Sequence, residues 1–561
     1  MRRGEANELG LWRERGPQVA RIEPVTLVEG KGQHPDFGAD RRERVTRERK
    51  ARVGDNRLGA PLAQYERQQK QGSRTIVQTE RAHRYEELAS FVAGLVDKGT
   101  LRPGSRAPSL RRISRDRRAS LSTALKAYQL LEDRGILEAR PRSGYYVTRR
   151  PAASLDIPAL SQPPGTPTSV AIAATVLNLV QYASDPRLVP LGCAVPSPEL
   201  LAAGQLDRFL ARAARIKGVD YNVYTAPKGD AALRQELCRR ALRCGQGWSP
   251  EDVVVTCGCT EAVTLALKAV ARPGDTIAIE SPTYFGLLHV LEALGLKALE
   301  MPTDAEAGID IAALAHALDQ KSVAACLFSS SFNNPLGCTM PDAKKLEFLR
   351  LLTRHSVPLI EDDIYGDIFF GAERPKPFGA LDPAANTIYC SSFSKTIAPG
   401  YRIGWLMAGR HTQTVLQQKL ASTLATPALT QAALADLLSC GGYDSHLRRI
   451  RRVFADNIDR MTRAIEQSFP AGTRVSRPAG GFVLWVELPQ PADTRVLFGE
   501  AVRRGICFAP GDAFSATGRY QHCLRLSCGY GWDRRIEAGV ETIGALAVAQ
   551  ARQGAIHGQG S

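Results

Sequence analysis

From Tyr85 onward, apolar residues recur at helical spacing. Leu88, Phe91, Val92, Leu95 and Val96 share one face, and the pattern stops near Gly99, before Leu101-Arg102-Pro103-Gly104. The spacing predicts a second, short helix after Pro108-Ser109, with Ser109 as its cap and Leu110 and Ile113 turned inward. A third begins at Ser120 or Ser122, presents Leu121, Ala124, Leu125, Tyr128, Leu130 and Leu131, and ends at Gly135. Ile136 to Val147 then reads as two short strands about the basic turn Arg140-Pro141-Arg142. Three helices and a hairpin predict a winged helix-turn-helix.

Beyond Ile172 the pattern changes. Val253-Val254-Val255, Thr276-Ile277-Ala278-Ile279 and Ala324-Ala325-Cys326-Leu327-Phe328 read as strands, and Glu261–Ala271 as a helix between two of them. That alternation predicts an α/β sheet with helices on its faces and ligand-binding motifs at the strand ends. Residues 151–171 hold Pro151, Pro158, Pro163, Pro164 and Pro167, too many for a helix or a central strand. They predict a linker, or in part an irregular loop packed on the surface. Residues 1–80 show little periodicity and are expected to form a basic, disordered extension. The division is therefore 1–80 extension, 81–150 winged domain, 151–171 linker, 172–550 α/β domain and 551–561 tail.

At 561 residues the chain is too long for one core. Apolar content of 44% and charged content of 23% are those of a globular protein. No apolar run reaches the roughly 18–20 residues of a membrane helix. The location of the charge says more than its total of +16: residues 1–150 hold 33 Lys and Arg against 19 Asp and Glu, while the rest hold 40 against 38. The excess points to a polyanion partner for the first quarter. Arg111, Arg112, Arg115, Arg117 and Arg118 crowd the second helix and its turn, and Arg140 and Arg142 sit on the wing, where phosphates can be neutralised. Ser120, Ser122, Thr123 and Lys126 lie near the start of the third helix. The expected partner is double-stranded DNA; a merely solvated basic face is the alternative. All twelve cysteines lie from Cys193 onward with no CxxC pair, which implies reduced thiols and no metal site. No signal-type apolar run opens the chain, and the expected location is the cytoplasm.

The candidate chemistry centres on Lys395, within Ser391-Ser392-Phe393-Ser394-Lys395 and seven residues before Arg402. A lysine so placed can hold its amine by an aldehyde while the hydroxyls and guanidinium hold a phosphate, which is what pyridoxal phosphate requires. Gly258-Cys259-Thr260-Glu261-Ala262 follows a strand and opens a helix whose free N–H groups can bind a phosphate. Tyr284 offers a face for ring stacking, and Asn334, in Asn333-Asn334-Pro335-Leu336-Gly337, brings an amide toward the ring's phenolic oxygen. Leu359 to Tyr365 is an apolar strand ending in acids, so Asp362 can pair with a protonated ring nitrogen and Tyr365 can bond the phenolic oxygen. Singly, each motif has a plainer reading as a turn, a core ring or a surface acid. Their order carries the inference.

The first region resembles the DNA-binding domain of GntR-type bacterial regulators over about Tyr85 to Val147. The resemblance rests on Tyr85/Leu88, the Leu101–Gly104 turn, Pro108–Arg111, Ala127–Glu132 with Gly135, and Ser143–Val147. It departs at Ala119-Ser120-Leu121, where the family usually carries Val-Ser-Arg. Tyr224 with Gly229, Gly258–Ala262, Tyr284, Asn334-Pro335, Asp362/Tyr365, Ser392/Lys395/Arg402, Pro478–Trp485 and Arg525 follow the order of motifs in fold-type I aminotransferases. This second resemblance, from about Ile172 to Leu546, implies a large mixed-sheet domain and a smaller C-terminal α/β domain. It implies that Lys395 bonds the cofactor aldehyde, Asp362 pairs with the pyridine nitrogen, Asn334 and Tyr365 bond the phenolic oxygen, and Tyr284 stacks on the ring. It further implies that Thr260, Ser392 and Arg402 hold the phosphate, with Cys259 adding at most its backbone N–H. Tyr224 would reach the phosphate of a neighbouring subunit, and Arg525 would clamp an α-carboxylate. Leu336 replaces the commoner Thr of Asn-Pro-Thr-Gly, a change expected to affect loop packing.

A GntR-like winged helix joined by a Pro-rich linker to an aminotransferase-like domain resembles the MocR subfamily of bacterial regulators. That resemblance implies a homodimer whose operator affinity depends on pyridoxal phosphate, or on an amino acid or amine reacting with it. A catalytically active aminotransferase carrying a DNA-binding module is the alternative, since every residue needed for transamination is present.

Overall fold

The structure, a computed structural model, describes residues 84–558 other than 97–99, 102–104, 134–135, 141–142, 148–154, 218–219 and 383. The extension 1–80, Gly99, Arg102 to Gly104, Gly135, Arg142 and residues 559–561 lie outside the described residues.

Helix α1 (84–96), α2 (Leu110–Asp116) and α3 (Leu121–Asp133) precede a hairpin of β1 (Leu137–Arg140) and β2 (Gly144–Val147), giving the expected winged helix-turn-helix. Ser109 Oγ accepts the Arg112 N–H at 3.2 Å and Ser120 Oγ accepts the Thr123 N–H at 3.1 Å, so each serine starts its helix by satisfying a free amide. Leu88, Val92, Ile113, Ala124, Ala127, Tyr128, Leu131, Leu137 and Val147 form the core. Tyr128 donates to Pro108 O at 2.8 Å, which ties α3 to the start of α2. Leu121 and Leu125 do not join this core. The inward stripe of α3 runs through Ala124, Ala127, Tyr128 and Leu131, and Leu125, one residue past Ala124, is turned about 100° away.

The larger domain is built on a mixed sheet. Its strands are β3 (Thr168–Ser169), β4 (Val253–Thr256), β5 (Thr276–Ser281), β6 (Lys297–Asp304), β7 (Ala325–Phe328), β8 (Leu359–Asp362), β9 (Thr387–Ser392) and β10 (Gly404–Met407). They lie in the order β3-β6-β5-β7-β8-β9-β10-β4. The run from β6 to β9 is parallel; β3, β10 and β4 pair antiparallel with their neighbours. Helices cover both faces, which is why the central strands read as continuous apolar runs rather than alternating ones. The carboxyl ends of β5, β8 and β9 carry Ser281, Asp362 and Ser392, and α4 (Cys259–Val270) begins just after β4.

A second sheet of β11 (Arg474–Val475), β12 (Val483–Glu487), β13 (Ala509–Pro510) and β14 (Cys523–Ser527) has the order β11-β12-β14-β13, all antiparallel. It packs with α5 (Gly442–Ser468), α6 (Thr494–Arg503) and α7 (Arg534–Gly558) into the smaller domain. Helix α7 runs past residue 550, where the sequence suggested a tail.

Of the Pro-rich stretch, the described part is a packed strap, as the surface-loop reading has it. Arg477 donates to Leu155 O at 2.7 Å and the Val475 N–H to Asp156 O at 2.9 Å, on the edge of the smaller sheet. Further along, the Thr303 N–H donates to Ser161 Oγ at 2.7 Å, and β3 joins the outer edge of the larger sheet.

Candidate functional site

The carboxyl ends of β5 and β8, the start of α4 and the turn after β9 enclose a cavity of about 240 Å³. Lys395, Asp362, Tyr365, Asn334, Tyr284, Thr260, Cys259 and Arg402 all line it, although they are spread over more than 140 residues of sequence. Lys395 sits in a short 3-10 turn, Phe393–Lys395, and its Nζ donates to Ala194 O at 2.6 Å. Burial lowers the lysine from its usual 10.5 to about 8. Roughly 300-fold more of the amine is therefore neutral at pH 7 than in an ordinary lysine. Asp362, at the end of β8, is raised by burial to about 6 and is steadied by the Ile364 N–H at 3.2 Å and the Cys259 thiol at 3.4 Å. The sequence reading allowed Cys259 a backbone role only. Its side chain in fact reaches the acid.

Asn334 and Tyr365 stand side by side. The Asn334 carbonyl is taken by Arg525 Nη1 at 3.2 Å, which turns the amide's NH2 away from the arginine. The Tyr365 hydroxyl is buried and, among the described residues, has no hydrogen-bond partner in good geometry, with the Asn334 amide beside it. Arg525 is held by strand register opposite Trp485, and its Nη2 donates to Gly192 O. Gly337, at φ 72°, follows the Asn-Pro-Leu stretch, and a Cβ there would come within 2.6 Å of Pro478 Cβ, so glycine brings the two motifs together. Leu336 is buried in the core, consistent with a packing change only.

At the other end of the cavity, Gly258 precedes α4 with φ 87°, and the Arg402 guanidinium lies directly over its Cα. Arg402 donates to Cys257 O at 2.8 Å and approaches Ser394 Oγ at 3.5 Å. Ser392 is the exception among the expected phosphate contacts. Its Oγ turns back to accept the Ser394 N–H at 3.2 Å as the cap of the 3-10 turn, and it lines a separate cavity with Tyr443 and Asp367. Ser394 takes its place in the wall. Tyr224 is 83% exposed and away from the cavity. Glu280, the penultimate residue of β5, was missed: it lines the cavity, accepts the Ser329 N–H at 2.7 Å, and is raised chiefly by burial to about 8. An acid ending an apolar run before Ser281-Pro282 was the available signal.

On the winged domain, Arg111, Arg112, Arg115 and Arg118 are exposed along α2 and its turn. No acidic partner is found for Arg111, Arg115 or Arg118 among the described residues; Arg112 lies 3.6 Å from Asp116. Three other cations are engaged. Arg117 packs 3.1 Å over Phe91, Lys126 lies 4.8 Å over Tyr85, and Arg140 pairs with Glu138 and stacks 4.3 Å over Tyr146. Ser120, Ser122 and Thr123 cluster at the start of α3.

The donor set fits one group. An amine of lowered basicity, a buried carboxylate, a hydroxyl and an amide NH2 on one side, with a helix start, Thr260, Ser394 and Arg402 at the end, match in turn an aldehyde, a ring nitrogen, a phenolic oxygen and a phosphate. Fold and cavity together define an aminotransferase-type domain following a winged helix.

Comparison with known proteins agrees. Residues 198–543 match the family "aminotransferase class I and II". The uncharacterized HTH-type transcriptional regulators YdcR and YjiR of Escherichia coli are 38% and 36% identical, each over 82% of this chain and 98% of their own length. LysN, the α-aminoadipate aminotransferase of Thermus thermophilus, solved as a complex with N-(5'-phosphopyridoxyl)-L-leucine, superposes with a TM-score of 0.63. It is 29% identical over 68% of this chain and 96% of its own. The multiple substrate aminotransferase of Thermococcus profundus gives 0.64 at 25% identity, over 68% of this chain and 96% of its own. The chain belongs to the aminotransferase class I and II family, as a MocR-type member with a helix-turn-helix ahead of the aminotransferase fold. Its cofactor is pyridoxal phosphate. Among the described residues, no helix is long and apolar enough to cross a membrane.

Proposed function

We propose that the chain is a pyridoxal-phosphate-dependent, DNA-binding transcriptional regulator that senses the cofactor, or an amino acid or amine that reacts with it. The observation that carries this reading is the presence, in one chain, of a winged helix whose Arg111 and Arg115 on α2 have no acidic partner among the described residues and a cavity with the donor set for the cofactor.

Lys395, Asp362, Asn334, Tyr365, Tyr284, Thr260, Ser394 and Arg402 hold the cofactor. When bound, pyridoxal phosphate supplies an aldehyde that condenses with primary amines and a ring that withdraws electrons. The chain's part is to present a Lys395 amine that gives up its proton readily, to keep a carboxylate at Asp362, and to offer two hydrogen-bond donors from Tyr365 and Asn334. Arg525 supplies a planar fork for the carboxylate of an amino acid effector. A coupling of about 1–3 kcal/mol between that site and the winged domain is enough for a useful switch.

The working unit is a homodimer. Support comes from the exposed Val223 and Tyr224, at 66% and 83%, on a segment that Thr225 Oγ1 ties to Thr426 O at 3.1 Å. Exposed apolar side chains that include a tyrosine are what a subunit contact needs. From there Tyr224 reaches the cofactor phosphate of the partner.

A second reading, an active aminotransferase, is favoured by Lys395, Asp362 and Arg525 all being in place. One experiment separates the two: operator binding by the full chain with and without pyridoxal phosphate and a panel of amino acids, with keto acid assayed in the same samples. An effector-dependent shift without turnover is expected. Turnover with no shift would assign the chain to metabolism.

A further inference from the structure

The helix expected to read DNA carries an apolar stripe on its outward face. Leu121 and Leu125 are 52% and 39% exposed and stand one turn apart on α3. The polar groups around them are largely occupied. Ser120 Oγ is within 2.8 Å of Ser122 Oγ and 2.7 Å of Thr123 Oγ1, and Lys126 lies over the Tyr85 ring. No guanidinium projects from the first two turns of α3. The cations flank the helix instead, on α2 at Arg111, Arg112 and Arg115.

An exposed pair of leucines, on the helix that follows Arg111 and Arg115, themselves without an acidic partner among the described residues, fits a polyanion with methyl groups on its readable edge. In the major groove only thymine presents a methyl group, and apolar side chains read it by contact, whereas arginine reads guanine. Four residues of helix rise about 6 Å, close to two base steps of about 3.4 Å. We propose that Leu121 and Leu125 dock against thymine C5-methyl groups about two base steps apart in each operator half-site, so that this helix selects A·T pairs where an arginine would select G·C. The arginines of α2 fix register through phosphates and carry none of this preference.

The inference rests on the DNA-binding reading, and its test keeps the two apart. An operator is selected from a randomised duplex pool by the full chain, and each thymine is replaced in turn by uracil, which removes only the methyl. Two positions per half-site, about two base steps apart, should each lose about fourfold in affinity, the worth of one buried carbon. Leu121→Ala and Leu125→Ala should each abolish the loss at one of those positions, while the salt dependence of binding stays as in the wild type. Both side chains are exposed, and an unchanged far-UV spectrum confirms that the variants fold. Tight binding that is indifferent to uracil at every position overturns the stripe as a reader. The same indifference with a change of oligomeric state in Leu121→Ser gives the stripe to a second copy of the chain. No selected duplex at low salt sinks the DNA-binding reading itself.

Discussion

The Cys259 thiol donates to Asp362 Oδ1 across 3.4 Å, so the first residue of α4 supports the acid that ends β8. Cys259→Ala should weaken cofactor binding about threefold, the worth of a modest hydrogen bond. Cys259→Ser should restore it. Fluorescence titration of the apo protein with pyridoxal phosphate measures both, and equal affinity in all three proteins would show that the thiol does nothing for the acid.

Lys395 loses its proton near pH 8 because burial disfavours the charge. Cofactor attachment needs the neutral amine, so its rate should fall about tenfold for each pH unit below 8 and level off above. Lys395→Ala should show no absorbance band of covalently held cofactor at any pH. Stopped-flow absorbance from pH 6 to pH 9 tests both, and a rate independent of pH would contradict the lowered value.

Glu280 is raised from 4.5 to about 8 chiefly by burial, with a smaller push from the Asp362 carboxylate, against the pull of the Ser329 N–H. The fold binds its proton more tightly than the unfolded chain does. Its contribution to stability is therefore full below about 4.5 and is lost as pH rises through about 8. Glu280→Gln keeps an acceptor for Ser329 without the charge. Its Tm should match the wild type at pH 5 and exceed it by several degrees at pH 9. An advantage of the same size at both pH values would mean packing rather than titration.

Arg525 holds Asn334 and Gly192 with two different nitrogens. A lysine cannot span both. Arg525→Lys should retain bound cofactor, seen by absorbance, while any amino acid response of operator binding falls at least tenfold. A full response in this variant would remove Arg525 from effector recognition.

Arg111→Ala or Arg115→Ala should lower operator affinity and reduce the slope of log K against log salt by about 0.9 each. Binding titrations at several salt concentrations read this directly. An unchanged slope would place these arginines off the phosphates.

Local chemistry made Lys395, Asp362 and Tyr365 legible in the sequence, since each ends or follows an apolar strand whose direction fixes where its neighbours point. Ser392 was legible as a motif but not as a contact: a 3-10 turn advances about 120° per residue, so capping the turn swings one serine away and brings Ser394 in. The winged domain was readable from period alone, yet Leu121 and Leu125 were not, because a small core needs only one narrow stripe and their exposure depends on where that stripe falls. Glu280 hid in an apolar run whose end is also the floor of a cavity.

The strap from Leu155 to β3 has a mechanical consequence. Its first residues are fastened to the rim of the smaller sheet and its last to the outer edge of the larger one, so a hinge between the two domains would tug on both ends of the same short cord. The chain enters that cord from the side of the winged helix. Any change in the angle between the two sheets would therefore have to be absorbed along the fifteen residues from Leu155 to Ser169.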